Sequence, residues 1–148
     1  MIKRVLFLTV GILSLMLAAC ETKAINNGKK ENKMKTIELT KADFLKKIVD
    51  YEKNPEEWIY LGDKPAIIDF YASWCGPCKM VSPVVEELAD ELEGQVKVGK
   101  VNVDEEAALA LKYQIMSIPT LVVMKKGVFE GKSIGVQDKD EVLRLLAL

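Results

Sequence analysis

From residue 36 onward, the pattern of apolar and polar positions predicts nine short elements. Alternating or continuous apolar runs, rich in Val and Ile, predict strands at 36–39, 66–70, 96–103, 121–124 and 128–134. Apolar residues at helical spacing predict helices at 41–51, 78–93, 105–113 and 138–148. The order β-α-β-α-β-α-β-β-α is that of an α/β domain. It predicts a mixed sheet of four or five strands with helices on both faces.

Several local signals support these boundaries. Thr40 precedes the first helix as an N-cap, and Asp43 stands where Glu or Gln usually completes a capping box. The segment 53–55, Lys-Asn-Pro, stops this helix. Gly94 is placed to end the second helix. Lys-Lys-Gly at 125–127 predicts the turn of a hairpin between the last two strands.

The connection between the first helix and the second strand, residues 54–65, carries two aromatic residues, Trp58 and Tyr60. One interpretation is that these rings cover an edge of the core. The other is that they form a docking surface. The sequence leaves both interpretations open.

The first nineteen residues predict a cleaved signal peptide. Lys3 and Arg4 provide a positive start, residues 5–17 are apolar, and Ala18 and Ala19 are small. The apolar run is shorter than the roughly 20 residues that a membrane-spanning helix needs. Leu-Ala-Ala-Cys at 17–20 resembles the lipobox of bacterial lipoproteins, which implies cleavage before Cys20 and a lipid on its sulfur. An ordinary secretory signal and an uncleaved anchor are the alternatives.

Composition and charge divide the remaining chain into a tether and a domain. Residues 20–35 are polar and rich in Lys and Asn, so we expect a lipidated N-terminus followed by a flexible tether. The tether either rests on anionic headgroups or is simply solvated. Residues 36–148 contain 14 basic and 20 acidic residues. This excess of acid argues against a nucleic-acid partner, which would require a basic face.

The candidate chemistry lies where the second predicted strand meets the second helix, at Cys75-Gly76-Pro77-Cys78. Two cysteines at this spacing can close a disulfide ring if the turn brings them together. A helix start at Cys75 would favour its thiolate, because free N–H groups and the positive end of the helix dipole lie there. Half a zinc site and an inert disulfide are the other interpretations. The chain has no histidine, and its third cysteine is Cys20, which argues against zinc.

Two motifs carry a family resemblance. Trp74-Cys-Gly-Pro-Cys-Lys79 is identical to the active-site motif of the thioredoxins, and Ile118-Pro119-Thr120 matches a second segment of that family. The resemblance covers about residues 36–148 and implies the thioredoxin fold. It also implies the activity of a protein thiol–disulfide oxidoreductase.

The resemblance assigns roles to four side chains. Cys75 is expected to be the nucleophile, and Cys78, deeper and less exposed, the resolving cysteine. Asp69 matches the buried acid that carries a proton to and from the second cysteine. Lys100 matches a lysine near that acid, where its opposite charge would tune the pKa of Asp69.

The resemblance also implies a substrate-binding surface around Cys75. Pro119 is expected to follow a cis peptide bond and to face the cysteines. The backbone of Ile118 would then be free to pair with an extended substrate segment. We expect an exposed apolar patch that includes Trp74, Gly76, Pro77, Ile118, Ile134 and Gly135.

These observations favour an enzyme that reduces or isomerises protein disulfides. A disulfide-introducing oxidase and a non-catalytic docking subunit remain alternatives. Gly-Pro between the cysteines is the pair of the reducing thioredoxins, whereas dedicated oxidases usually place a histidine there. No Gly-rich dinucleotide loop or flavin motif is present, so we expect no bound cofactor and no metal.

The predicted signal peptide sets the expected location and partners. We expect a monomeric lipoprotein on the periplasmic side of a membrane, outside the cytoplasm. Its partners would be disulfide-bearing proteins and a membrane-embedded electron donor.

Overall fold

The computed structural model describes residues 36–57 and 59–147. The predicted signal peptide, the predicted lipidation site at Cys20, the predicted tether and Trp58 lie outside the described residues. The elements along the described chain are β1 (Ile37–Glu38), α1 (Lys41–Lys47), β2 (Ala66–Tyr71), α2 (Gly76–Glu91), β3 (Lys97–Asn102), α3 (Ala107–Lys112), β4 (Thr120–Lys125), β5 (Val128–Ile134) and α4 (Lys139–Leu146).

The five strands form one sheet in the order β1-β3-β2-β4-β5. β1, β3 and β2 run parallel to one another, while β4 and β5 are antiparallel to their neighbours. The prediction of a mixed sheet is therefore confirmed, with five strands. Because β2 and β3 are parallel neighbours, the loops that follow them begin at the same edge of the sheet.

Helices cover both faces of this sheet, as the sequence predicts. On one face, Phe44 of α1 and Leu109 of α3 pack against Ile68 and Phe70 of β2. On the other face, α2 and α4 pack against Ile67. Successive strand residues point to opposite faces, so a strand covered on both faces is apolar throughout. This explains the continuous apolar run of β2.

The first helix ends four residues earlier than the predicted 41–51. Its last helical residue is Lys47, and Ile48 is the C-cap. The connection that follows folds back on this point, because the N–H of Leu61 donates to the carbonyl of Ile48 at 2.8 Å. Val49 also pairs with Tyr60 in an isolated β-bridge. This long-range pairing replaces the last turn of the predicted helix.

Tyr60 belongs to the core. Its side chain is buried with the α1 and α3 cluster, and its hydroxyl donates to the carbonyl of Lys64 at 2.6 Å. For this ring, the structure favours the interpretation that the connection covers an edge of the core. A docking role for Tyr60 is wrong, because the ring is not accessible.

The last three helices begin and end within a few residues of their predicted bounds. α2 begins at Gly76 rather than at 78, because Cys75 acts as its N-cap. α4 begins at Lys139 after a complete capping box between Asp138 and Glu141. None of the four described helices has the length and apolarity that a membrane crossing needs.

Candidate active site at the end of β2

Cys75 and Cys78 are joined by a disulfide, with their Cα atoms 5.3 Å apart. Cys75 has an extended backbone and caps α2, and its Sγ accepts a hydrogen bond from the N–H of Cys78 at 3.1 Å. Gly76 and Pro77 fill the first turn of the helix. A proline is tolerated there because its missing N–H would have no helical partner. After reduction, the same N–H and the positive helix end would stabilise a thiolate on Cys75.

The two cysteines are almost equally buried. Cys75 is 3% exposed and Cys78 is 2% exposed. The expected difference in depth between them is thus not visible while the disulfide is closed. Both pack in a small cluster with Ala72, against which Tyr71, Val103 and Ile118 are partly buried.

Asp69 is a fully buried carboxylic acid in the middle of β2. It follows Ile67 by two residues and therefore lies on the face that α2 covers. Neither of its oxygens has a hydrogen-bond partner among the described residues. Burial raises the pKa of Asp69 from 3.8 to about 6, partly offset by the positive charge of Lys100 and reinforced by Glu38. This carboxyl group therefore changes its protonation close to neutral pH.

Lys100 lies beside Asp69, in register with it on β3. It is only 8% exposed, and its ammonium lies 4.5 Å from the centre of the Tyr71 ring. The Tyr71 hydroxyl in turn donates to Oε1 of Glu38 at 3.0 Å. Burial, followed by this hydrogen bond, raises the pKa of Tyr71 to about 12. The predicted proximity of Lys100 and Asp69 is thus present in the sheet register, without a hydrogen bond between them.

The Ile118–Pro119 peptide bond is cis. Pro119 is buried and Ile118 is half-buried. Within the described chain, the backbone of Ile118 makes no hydrogen bond to another residue, whereas the carbonyl of Pro119 accepts from Gly135 at 2.9 Å. An open groove of about 380 Å³ runs beside this segment. It is lined by Trp74, Val103, Ile115, Met116, Ser117 and Ile118.

The predicted patch residues are exposed to different degrees. Trp74 is 68% exposed and Ile134 is 57% exposed. Gly76 and Pro77 are also exposed, while Gly135 is half-buried. The indole N–H of Trp74 donates to Oδ2 of Asp104 at 2.8 Å. This bond fixes the ring in an exposed position.

Gly135 has a backbone reason to be glycine. Its φ is +93°, a conformation that other residues rarely adopt. A Cβ at this position would meet no atom within 4 Å. The conformation, rather than a close approach of neighbouring atoms, therefore favours glycine here.

Four residues near the site were not singled out from the sequence: Glu38, Tyr71, Asp104 and Met116. Tyr71 is the last residue of β2, and Asp104 follows the end of β3 by two residues. Because the two strands are parallel neighbours, this position could have suggested that Tyr71 approaches Lys100 and that Asp104 approaches Trp74. Met116 directly precedes the Ser-Ile-Pro segment and is highly exposed. Glu38 gave no signal, because its contact depends on the pairing of β1 with β3.

The site contains a closable dithiol, a buried acid and an exposed apolar surface, which together suit exchange between thiols and disulfides. In the part of the chain that the structure describes, no group of three or more Cys, Asp and Glu side chains could hold a metal ion.

Comparisons with known proteins agree with this chemistry. The family model for thioredoxin matches residues 35–147. A thioredoxin of Borreliella burgdorferi is 42% identical over 104 residues, which are 70% of this chain and 88% of that protein. A thioredoxin of Staphylococcus aureus is 42% identical over 113 residues, 76% of this chain and 96% of that protein. The match covers all nine elements of the described fold.

Proposed function

Because this chain belongs to the thioredoxin family and is a thiol–disulfide oxidoreductase, we propose that it reduces protein disulfides outside the cytoplasm. The observation that carries this proposal is the position of Cys75 as the N-cap of α2, with its sulfur facing the N–H of Cys78. A thiolate there is stabilised where a substrate disulfide can reach it. Gly76 and Pro77 between the cysteines favour reduction over oxidation, by resemblance to the reducing thioredoxins.

In the first step, the Cys75 thiolate attacks one sulfur of a substrate disulfide. A Cys75–substrate disulfide forms, the substrate disulfide breaks, and the leaving thiolate takes a proton from water. In the second step, Cys78 gives its proton to the Asp69 carboxylate, and its thiolate attacks the Cys75 sulfur. The Cys75–Cys78 disulfide forms, the Cys75–substrate disulfide breaks, and the second substrate thiolate leaves and takes a proton from water. The substrate has gained two electrons and two protons, and the cysteine pair has lost two electrons.

Asp69 suits the proton transfer because it is buried and because its pKa, raised to about 6, lets its carboxylate accept a proton and release it again near neutral pH. A group in the second step must accept a proton at physiological pH and release it again before the next cycle. Asp69 then returns its proton to solvent. Lys100 limits how strongly Asp69 holds that proton, because its positive charge favours the carboxylate.

Substrate binding would use the groove beside Ile118 and the exposed Trp74. The free backbone N–H and C=O of Ile118 can pair with an extended segment that carries the disulfide. Exposed apolar side chains contribute contact area without demanding a particular sequence. This combination suits an enzyme with several protein substrates.

We further propose that residues 1–19 are removed, that Cys20 carries the lipid and that residues 20–35 tether the domain 36–148 to a membrane. The lipobox-like sequence that ends at Cys20 supports this arrangement. Two or more acyl chains hold a protein to a bilayer much more firmly than one chain does. In this location the two electrons for the next cycle would come from a membrane-embedded donor.

Reduction of insulin by the full chain, with dithiothreitol as electron source, tests the catalytic proposal. Wild-type protein should accelerate insulin precipitation, and Cys75→Ser should abolish the acceleration. Cys78→Ala should still capture insulin as a mixed disulfide, because only the resolving thiol is lost. Turnover that survives Cys75→Ser would exclude this mechanism, and full biological activity of that variant would favour a docking subunit.

A redox titration against glutathione separates a reductase from an oxidase. We expect a midpoint near that of thioredoxin, about −270 mV, whereas a disulfide-introducing enzyme approaches about −120 mV. A strongly oxidising midpoint would reverse the proposed direction of electron flow.

Cell fractionation tests the anchor separately. Wild-type protein should incorporate labelled fatty acid and remain with the membrane fraction, while Cys20→Ala should do neither. The same variant should retain insulin turnover in solution, because Cys20 lies outside the proposed catalytic site.

A further inference from the structure

Three charged residues form one row across the parallel part of the sheet. Glu38 of β1 pairs with Lys100 of β3, and Lys100 pairs with Asp69 of β2. Paired residues on neighbouring strands point to the same face. Lys100 therefore stands between two carboxylates, of which Asp69 is fully buried and Glu38 is exposed.

Tyr71 contacts both Lys100 and Glu38, the two residues of this row that lie nearer to the edge of the sheet. Its ring lies 4.5 Å from the Lys100 ammonium, and its hydroxyl donates to Glu38 at 3.0 Å. A cation over an aromatic face is attracted by the ring, more strongly when the pair is shielded from water. The ring thus favours a Lys100 conformation in which the ammonium lies over Tyr71. The hydroxyl bond holds Glu38 close to the same ring.

Lys100 and Asp69, the other neighbouring pair in this row, do not contact each other through a hydrogen bond. A direct charge-assisted bond would hold Asp69 ionised and make it a poor proton acceptor. The observed arrangement leaves an electrostatic influence of Lys100 on Asp69 without such a bond.

We propose, building on the function above, that Glu38 and Tyr71 are positioning residues that hold the Lys100 ammonium on the outer side of the row and leave Asp69 able to accept the Cys78 proton. Tyr71 binds the ammonium through its ring, and Glu38 attracts the same charge from the edge of the sheet. The positive charge is thereby shared between two carboxylates rather than committed to Asp69.

The other groups around this face are few. The first turn of α2 brings Cys75 and Cys78, which do not titrate while they form a disulfide. β4 places the apolar Leu121 in register with Asp69. Glu105, after β3, acts on Tyr71. Measurements on the oxidised protein therefore isolate the response of Asp69 to Lys100, Tyr71 and Glu38.

The test is a titration of the Asp69 carboxyl by carbon-13 NMR in the oxidised full chain. Glu38→Gln should lower the midpoint of Asp69 by about half a pH unit or more, because the direct repulsion by Glu38 is lost and Lys100 then acts on one carboxylate only. Tyr71→Phe keeps the ring and changes no charge, yet it should lower the midpoint in the same direction by releasing Glu38. Glu130→Gln, an exposed change on β5, is the matched control and should leave the midpoint unchanged.

A double variant shows whether Glu38 acts through Lys100. In a Lys100→Met background, Glu38→Gln should shift the midpoint by less than half of its effect in the wild-type background, because only the direct repulsion between Glu38 and Asp69 remains. An undiminished shift in that background would mean that Glu38 acts on Asp69 by direct repulsion alone, and would overturn the proposal. An unchanged midpoint in Tyr71→Phe would also overturn it.

Stopped-flow measurement of mixed-disulfide resolution provides the catalytic readout. The acid limb of its pH profile should move with the NMR midpoint in Glu38→Gln and Tyr71→Phe. Wild-type insulin turnover and its loss in Cys75→Ser are measured in parallel. If these hold while the acid limb stays in place, this inference fails and the proposed function stands.

Discussion

Asp69 occupies a position that the surrounding core fills with Ile, Leu and Val. Its strand neighbours on the same face, Ile67 and Leu121, are fully buried apolar residues. A carboxylate without a hydrogen bond is costly in such surroundings, and an incomplete ion pair recovers only part of that cost. Packing alone therefore does not explain an acid at this position, which agrees with the proton-transfer role proposed for it.

The raised pKa of Asp69 predicts a pH-dependent cost to folding. Because the folded-state pKa, about 6, lies above the ordinary 3.8, the folded protein binds this proton more tightly than the unfolded chain does. The associated stability is fully present below pH 3.8 and is lost as the pH rises through about 6. Asp69→Asn should raise the free energy of unfolding at pH 8 by about 1–3 kcal/mol. Urea denaturation of the oxidised protein measures this difference.

The gain should shrink as the pH falls toward 4, where wild-type Asp69 is already protonated. Asp63→Asn is a suitable control, because Lys97 lowers the pKa of Asp63. The contribution of Asp63 to the free energy of unfolding therefore depends on pH with the opposite sign. Asp63 gains stability from its charge above its ordinary pKa, so its removal should give no increase at pH 8. An equal gain from Asp69→Asn at both pH values would show that packing, and not ionisation, is responsible.

Among the elements, α4 depends clearly on its first turn. Asp138 accepts from the N–H of Glu141 at 2.8 Å, and Glu141 accepts from the N–H of Asp138 at 3.0 Å. The helix delivers Val142 and Leu146 to the core that it shares with α2. A short helix of this kind relies on its caps and on packing more than on intrinsic propensity.

Removal of the cap should therefore loosen the end of the chain. Asp138→Ala should lower the free energy of unfolding by about 1 kcal/mol, whereas Asp138→Ser should retain most of it. Asp140→Ala, in the same first turn, loses only a favourable charge at the helix start and should cost a few tenths of a kcal/mol. Thermal unfolding with intact disulfide compares the three variants. Equal losses at 138 and 140 would mean that the capping box contributes nothing.

The elements also show which features a sequence can predict. The five strands and the cap at Thr40 are local patterns, and the structure confirms them. The predicted end of α1 was wrong because Val49 pairs with Tyr60, eleven residues away. No local pattern competes with the helical periodicity there. This pairing depends on how the connection 54–65 folds back on α1, which the local sequence pattern does not indicate.

The candidate site divides in the same way. The disulfide, the buried acid and the cis proline belong to motifs that can be recognised from the amino-acid sequence alone. The bond from Trp74 to Asp104 and the contact between Lys100 and Tyr71 depend on register between strands. Glu38 is furthest from prediction, because a two-residue strand gives little periodicity to read.

At the scale of the whole molecule, the first described residues enter the sheet from one end, and Cys75 lies past the other end. β1 is parallel to β3, which is parallel to β2. Cys75 follows the end of β2, whereas β1, which runs in the same direction, begins at Ile37. The first described residues therefore enter the sheet from the side on which β2 begins.

This polarity predicts how an anchored form would react. With full-length lipidated protein on vesicles and the disulfide reduced, Cys75 should be alkylated by a water-soluble reagent at nearly the rate of the unanchored Cys20→Ala protein. Rates that agree within a factor of about two are expected if the proposed tether joins the domain ahead of β1, because the groove beside Trp74 and Met116 lies past the end of β2. A strong slowing on vesicles, relieved when the tether is lengthened within residues 21–35, would mean that the bilayer covers the cysteines. The reducing surface would then work against the membrane rather than away from it.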